Sequence, residues 1–507
     1  MLLGGASGGF RIAEALALGA GAMDVVEPEP VLLGALRDGL GEVAAFALPP
    51  GVRLRGDSLV AAAADGPFDL IDISGDFLDA AEANSTAFAA EAVATYLDAL
   101  SPGGIVSIPV SIREFPAYAV RLLATAREGL LAAGIADPAR YVLVYRSAWN
   151  VRILLSNQPF EPAQVAAARV FTEARSFDIS YFPGIDVVAA RRDIYNDLPA
   201  VSFAQGAVTS GDGPHDAIAD EALAVLRGQG SVSVDAFDLS PITYDRPSFY
   251  AVLRLGEMGT ILRRLELLPQ AEIGPLVNIA VLGQAMVIAL LVLVVPLLGG
   301  WRVRTGALPG AGVRRGAGWG STARAVVYFA TLGLGFLFIE IYLIERASFY
   351  LNDRISGFAL VLTGMLVFSG LGSMLTGRVA ALPLRASLAC TVVIVVWSAG
   401  VLLFLQDFML ATLGLPWLAR AAVVVALVAP VSLALGLPFP LGLGQTGSGG
   451  FLPWAWGLNG AFSVVSTPLA NLTGISAGYD RVLLCALLLY VLAFATFPRS
   501  LPGVSRA

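Results

Sequence analysis

The sequence predicts an α/β doubly wound soluble domain followed by an all-α transmembrane bundle of about seven helices. Three observations lead there. Charge is scarce: 14% of the 507 residues are charged and mean hydropathy is +0.74, where an ordinary soluble domain carries roughly 25% charge. Charge is also uneven. Residues 1–274 hold 34 Asp and Glu against 19 Arg, a net of −15, while residues 275–507 hold 5 against 13, a net of +8. Finally, the texture changes. Short apolar runs alternate with Ala- and Leu-rich helical stretches in the first part, the pattern of a mainly parallel sheet. The second part contains apolar runs long enough to cross roughly 30 Å of hydrocarbon at about 1.5 Å per residue.

The same composition excludes several functions. All 32 basic residues are arginine, which removes Schiff-base lysine chemistry and any P-loop ATPase. A single histidine, His215, removes His-rich metal sites and any mechanism that needs two imidazoles. It lies in a polar, Gly- and Asp-rich stretch over residues 200–240 and reads as a solvated loop residue. Cys390 and Cys485 sit in apolar runs and read as small buried hydrophobes. A net of −15 argues against nucleic acid as a partner, because such binding rests on neutralising phosphates. The expected partners are the lipid bilayer and a small-molecule ligand, with no metal.

Element by element, residues 1–3 form the stub of a strand, shorter than the usual five or six residues, as expected of a late gene start or a fragment. GGASGG over 4–9 is a loop and 11–18 a helix. A strand at 23–27 precedes a helix at 32–40. Strands at 52–55 and 70–73 come next, then a helix at 87–100, a strand at 105–109 and a helix at 116–133. Runs at 141–145 and 151–156 read as a closing hairpin around Ser147-Ala148-Trp149-Asn150. Residues 1–160 are thus the core of the domain, 161–274 an extension and linker, 275–498 the membrane region and 499–507 a tail.

The first turn carries the ligand signal. A strand, a glycine-rich turn and a helix N-terminus place backbone N–H groups around an anionic or polar group. Glu27, at the end of the second strand, can accept both hydrogen bonds of a ribose diol. Asp57, just past the third strand, is placed to reach an adenine edge.

With these residues in hand, GGASGG, VVEPEP, RGDSL, FDLIDISGDF and LSPGGIVSI together resemble the spermidine synthase-like branch of the S-adenosylmethionine methyltransferase fold. More closely, the chain is similar to bacterial multi-pass membrane proteins in which that Rossmann-like domain is joined to transmembrane helices. The likeness continues in RLLATAREGL, SNQPF and TYDRPSFY. The resemblance implies binding of S-adenosylmethionine or decarboxylated S-adenosylmethionine, with Gly4, Gly5 and Gly8 lining the methionine moiety, Glu27 holding the ribose and Asp57 contacting adenine; Ser7, in the same turn, is a further cofactor-binding candidate. It also implies a bacterial inner-membrane location with the soluble domain in the cytoplasm, although the arginines flanking the spans mildly favour the opposite side. Ser74 stands where the aminopropyltransferases of that family carry an Asp, Ala6 replaces a Gly, and Ser7 stands where they carry an Asp. Strand alternation turns Asp72 and Asp76 to the same face as Ser74, so these two acids are the catalytic candidates. Tyr244 replaces an acid in the junction Thr243-Tyr244-Asp245-Arg246, which reads as an ion pair or turn stabiliser.

Seven runs are expected to span: 276–298, 325–344, 355–376, 386–406, 421–441, 458–475 and 482–497. Trp301, Trp417, Trp454 and Trp456 lie at their ends. Glu340 falls inside the second run and Glu345 near its end, where an ionisable side chain either serves a ligand or ion or bonds a neighbouring helix. Ser369-Gly370-Leu371-Gly372-Ser373 should let helices approach closely, and Pro430, Pro438 and Pro440 should kink or break the fifth run. Three functions fit: a membrane-bound S-adenosylmethionine-dependent transferase moving a methyl or aminopropyl group, a transporter or sensor whose soluble domain binds a nucleoside-type ligand without catalysis, or a degenerate domain serving only as a scaffold.

Overall fold

A computed structural model describes residues 1–39, 49–77, 82–199, 201–202, 207–208, 214–229, 233–234, 237–265, 268–300, 319–446 and 451–498. The chain divides into two units, Met1–Ile273 and Gly274–Ala507.

In the first unit the apolar runs become strands β1 (Leu2–Gly4), β2 (Met23–Val26), β3 (Val52–Arg55), β4 (Phe68–Ile73), β5 (Leu100–Ser111), β6 (Val142–Arg146), β7 (Asn150–Ser156) and β8 (Asp178–Tyr181). They form one sheet of order β3-β2-β1-β4-β5-β7-β6-β8. The first five strands pair in parallel, and β7 runs antiparallel to both β5 and β6. The crossovers are helices α1 (Phe10–Ala17), α2 (Pro30–Arg37), α3 (Leu59–Ala63), α4 (Ala90–Asp98) and α5 (Ala117–Ala132). The chain steps outward from β1 to β3, then returns past β1 to β4. Right-handed crossovers in opposite directions put their helices on opposite faces and open a crevice beyond the carboxyl ends of β1 and β4. The short β1 is fully buried and is paired on both sides, Leu3 lying between Val25 and Asp72. The hairpin expected at 141–156 forms, but its second strand is the one that lies against β5.

The extension belongs to the same unit. It contributes α6 (Pro162–Glu173), β8 and α7 (Ala217–Leu226), fastened through buried charge. Arg146 on β6 has no exposed side-chain surface; its Nε donates to Asp216 at 2.8 Å, and its Nη1 lies 3.4 Å from Asp178. Asp216 also caps α7 by accepting from the Ile218 and Ala219 amides. Arg121 on α5, likewise buried, donates to the carbonyls of Ser240, Ser248, Phe249 and Ala251, and burial brings its pKa down to about 10. Within the junction the Arg246 amide donates to the Thr243 carbonyl at 3.0 Å, closing a turn, while its guanidinium donates to Asp238, outside the run, at 2.8 Å. His215 is half-buried rather than solvated, its amide donating to Asp197 at 2.6 Å.

The second unit is helical: α8 (Ile273–Gly300), α9 (Trp319–Leu351), α10 (Arg354–Met374), α11 (Pro383–Thr412), α12 (Trp417–Leu435), α13 (Pro438–Thr446), α14 (Leu452–Ala477) and α15 (Tyr479–Ala495). Among the described residues five stretches are long and apolar enough to cross a membrane: Gln270–Leu291, Ala323–Leu351, Arg354–Met374, Pro383–Thr412 and Trp417–Thr446. The runs expected to span at 458–475 and 482–497 form α14 and α15, which fall outside that set. Asn459, Ser463, Ser466, Asn471 and Thr473 lower the hydropathy of α14. Helix α15 has 17 residues and carries Asp480 near its start. Helix contact runs through glycines: a Cβ on Gly372 would meet the Leu433 carbonyl, and one on Gly436 the Ser369 carbonyl, the close packing the small-residue run suggests. The proline-rich run breaks between α12 and α13, while Pro430 stays inside α12. Asn459 faces Gly333 with its backbone carbonyl. Glu340 is half-buried on α9. Trp301 and the arginines at 302, 304, 314 and 315 lie outside the described residues.

Candidate ligand site at the switch point

Beyond Gly4 the chain turns through a left-handed stretch, with φ of 87° at Gly5, 46° at Ser7, 64° at Gly8 and 93° at Gly9. Glycine meets this need without steric cost, whereas Ser7 holds a conformation that L residues rarely adopt. A Cβ on Gly5 would stand 3.0 Å from that of Ser74 and 3.3 Å from the Phe77 ring; one on Gly8 would meet nothing within 4 Å. The turn therefore packs against the end of β4 at Gly5 and is open at Gly8. It delivers α1 with Gly9 as its N-cap and no side-chain cap, so the helix N-terminus faces this edge.

Glu27 follows β2 directly and is 4% exposed. Its Oε2 accepts the Ala6 amide at 3.2 Å and its Oε1 the Glu29 amide at 3.2 Å. A carboxylate offers about four acceptor positions, so each oxygen keeps capacity for a ligand hydroxyl. Opposite, the end of β4 joins the turn: the Ser74 amide donates to the Gly4 carbonyl at 2.7 Å. The Ser7 and Ser74 hydroxyls are 3.1 Å apart. Asp76 accepts from Ser7 at 3.3 Å and from the Ser74 hydroxyl.

The other two acids are engaged differently. Asp72 is clamped between Arg11 at 2.5 Å and Arg152 at 2.6 Å. Arg11 also donates to the carbonyls of Gly4 at 2.8 Å and Gly5 at 2.7 Å, stapling the turn from below. Arg152 reaches from β7 across β5, donating to the Ser107 hydroxyl at 2.8 Å on the way. Asp57 takes a two-pronged bond from Arg55, at 2.9 Å from Nε and 2.5 Å from Nη2. Arg55 also pairs with Asp24 and Asp65. The bond to Asp57, and after it that to Asp65, hold the Arg55 guanidinium above its ordinary pKa against the opposing effect of burial. Burial alone would raise Asp24, but Arg53 and Arg55 outweigh it and keep this carboxyl below 3.8.

The structure thus brings Gly4, Gly5, Ser7, Gly8, Glu27, Ser74 and Asp76 together at the carboxyl edge of the sheet. Asp72 sits in an arginine clamp and Asp57 in an ion-pair net on the outer strands. Sequence reasoning missed Arg11 and Arg152. The position of Arg11, two residues past the glycines, was a usable signal; that of Arg152 depends on the reversed β7. With Asp72 and Asp57 neutralised by arginine, Glu27 and Asp76 remain as two carboxylates without an arginine partner among the described residues, one on either side of the glycine turn. No protein-family profile matches the sequence, and no curated protein matches it.

Proposed function

We propose that the α/β unit binds S-adenosylmethionine or its decarboxylated form, and that the protein is a membrane-bound transferase of a methyl or aminopropyl group. The charge balance of the glycine turn carries this reading. A helix N-terminus behind a glycine turn ordinarily suits a phosphate, but Glu27 and Asp76 would repel one. A nucleoside without phosphate that carries positive charge fits both the turn and the two acids. The strand order, with its reversed β7, agrees with the methyltransferase fold that the sequence resembles.

In this reading Glu27 takes the ribose diol while holding the Ala6 amide, and the open face at Gly8 admits the amino-acid or propylamine arm. Asp57 approaches adenine only through its Arg55 pair. The bound group would supply an electrophilic carbon next to a sulfonium. Asp76, backed by Ser7 and Ser74, is the acid placed to orient an amine and accept its proton, whereas Asp72 is a positioning residue that fixes Arg11 under the turn. The five apolar stretches tie this activity to a membrane, and we assign the soluble unit to the cytoplasmic side of a bacterial inner membrane.

The test is transfer from labelled S-adenosylmethionine and from its decarboxylated form to a panel of amines, using the full chain in detergent. Product formation that is lost in Asp76→Asn while ligand binding weakens but remains measurable supports the transferase. Binding with no product for any acceptor favours the sensor or transporter, a reading to which the arginine clamp on Asp72 lends support.

A further inference from the structure

We propose that the α9–α10 hairpin of the helical unit, together with Asn471 of α14, forms a binding site for the headgroup of a zwitterionic phospholipid, built from Glu345, Arg354 and Asn471. A cavity of about 360 Å³ opens there, at the lower end of the roughly 300–1,000 Å³ typical of ligand sites. Its walls are apolar, from Ile341 and Ile344 on α9 and Phe358 on α10, and its polar groups are Glu345, Arg354 and Asn471.

The order of these groups along the helices gives the site its polarity. Arg354 is the first residue of α10. Glu345 lies six residues before the end of α9 at Leu351, about 9 Å at 1.5 Å per residue. The charges therefore sit near the helix ends, where hydrocarbon gives way to headgroups. Ile341 and Ile344 continue toward the middle of α9, and Phe358 lies one turn into α10 with 49% of its surface exposed. A cavity polar at its mouth and apolar behind it suits an amphiphile.

Charge selects the headgroup. The Arg354 Nη2 and Glu345 Oε1 atoms are 3.3 Å apart, and their side chains are 46% and 15% exposed. A headgroup carrying both an ammonium and a phosphate can exchange with this pair, ammonium to Glu345 and phosphate to Arg354, so that neither protein charge is left without a counter-charge. The Asn471 amide supplies a donor for an ester oxygen. Phosphatidylglycerol offers Glu345 hydroxyl donors but no counter-charge, and a free phosphate offers neither the ammonium nor the chain. The proposal rests on the helices crossing a bilayer and is independent of what the α/β unit binds.

The experiment is native mass spectrometry of the full chain in detergent, incubated with equal amounts of phosphatidylethanolamine and phosphatidylglycerol. The wild type should retain phosphatidylethanolamine over phosphatidylglycerol by roughly tenfold, the weight of one charge-assisted hydrogen bond. Glu345→Gln should erase the preference, and Phe358→Ala, which opens the apolar wall that either lipid would use, should lower the retention of both. Leu403→Ala, at a 69% exposed position on α11, should leave it intact. Equal retention of the two lipids by the wild type overturns the proposal. So does undiminished retention of phosphatidylethanolamine in both Phe358→Ala and Asn471→Ala, which keep the test valid should Glu345→Gln fail to fold. Displacement of the lipid by inorganic phosphate alone would also overturn it.

Discussion

Glu27→Gln separates the two jobs assigned to one side chain. In the wild type both oxygens accept a backbone amide, Ala6 at 3.2 Å and Glu29 at 3.2 Å, in a site only 4% exposed. Glutamine keeps one acceptor oxygen and turns its NH₂ toward the other amide, donor against donor. One charge-assisted bond is lost, which costs about 1.5–3 kcal/mol. In the proposed complex the ligand would lose a carboxylate facing its ribose and its positive charge. At about 1.4 kcal/mol per factor of ten, affinity should fall roughly 10- to 100-fold. Calorimetric titration of the full chain with S-adenosylmethionine reads the affinity, and hydrogen exchange over residues 4–11 reads the turn. The expected result is weaker binding with faster exchange at the turn. Unchanged affinity in a variant whose turn exchanges as in the wild type would refute the role of Glu27.

Other outcomes follow from the buried charges and the helix contacts. Arg146→Met leaves Asp178 and Asp216 without their cation in a site where each side chain is 2% exposed. It should cost about 3–5 kcal/mol, seen as proteolysis of residues 161–229 under conditions the wild type survives. Gly372→Ala drives a methyl into the Leu433 carbonyl and should cost about 1–3 kcal/mol, read as a lower unfolding temperature in detergent, whereas Gly370→Ala, with nothing near its Cβ, should have little effect. Asp24 is held below its ordinary value of 3.8, so the stability it lends is present above that pH and is lost as pH falls through its lower folded value. Asp24→Asn should therefore be less stable than the wild type at neutral pH, with the gap narrowing in acid titrations below pH 4.

How much could be read from residues alone differs by level. Strand–helix alternation located the parallel strands β1 to β5, and short apolar runs around a turn located the β6–β7 hairpin, because buried strands leave apolar runs that survive without context. The glycine turn, Glu27, Ser74 and Asp76 were legible for the same reason: in a doubly wound sheet, chain order dictates which strand ends meet. The fate of Asp72 was not fully legible, since Arg152 comes from a reversed strand, whereas Arg55 stands two residues before Asp57 and its pairing left a local signal. Nothing in the sequence marked Arg146 or Arg121 as buried, because burial by partners dozens of residues away leaves no local mark. In the helical unit, length and hydropathy separate five stretches clearly, while α14 and α15 mix polar groups with apolar ones.

Ligand charge offers the most direct test of the switch-point site. Titrating the full chain with S-adenosylmethionine, S-adenosylhomocysteine and ATP compares a sulfonium, a neutral sulfur and a triphosphate on one adenosine. With Glu27 and Asp76 flanking the turn, the sulfonium should bind at least tenfold more tightly than the thioether, with ATP weakest and the gap closing as salt screens the acids. ATP binding as tightly as the sulfonium, or no binding by any of the three, would contradict the assignment of this crevice to a cationic nucleoside.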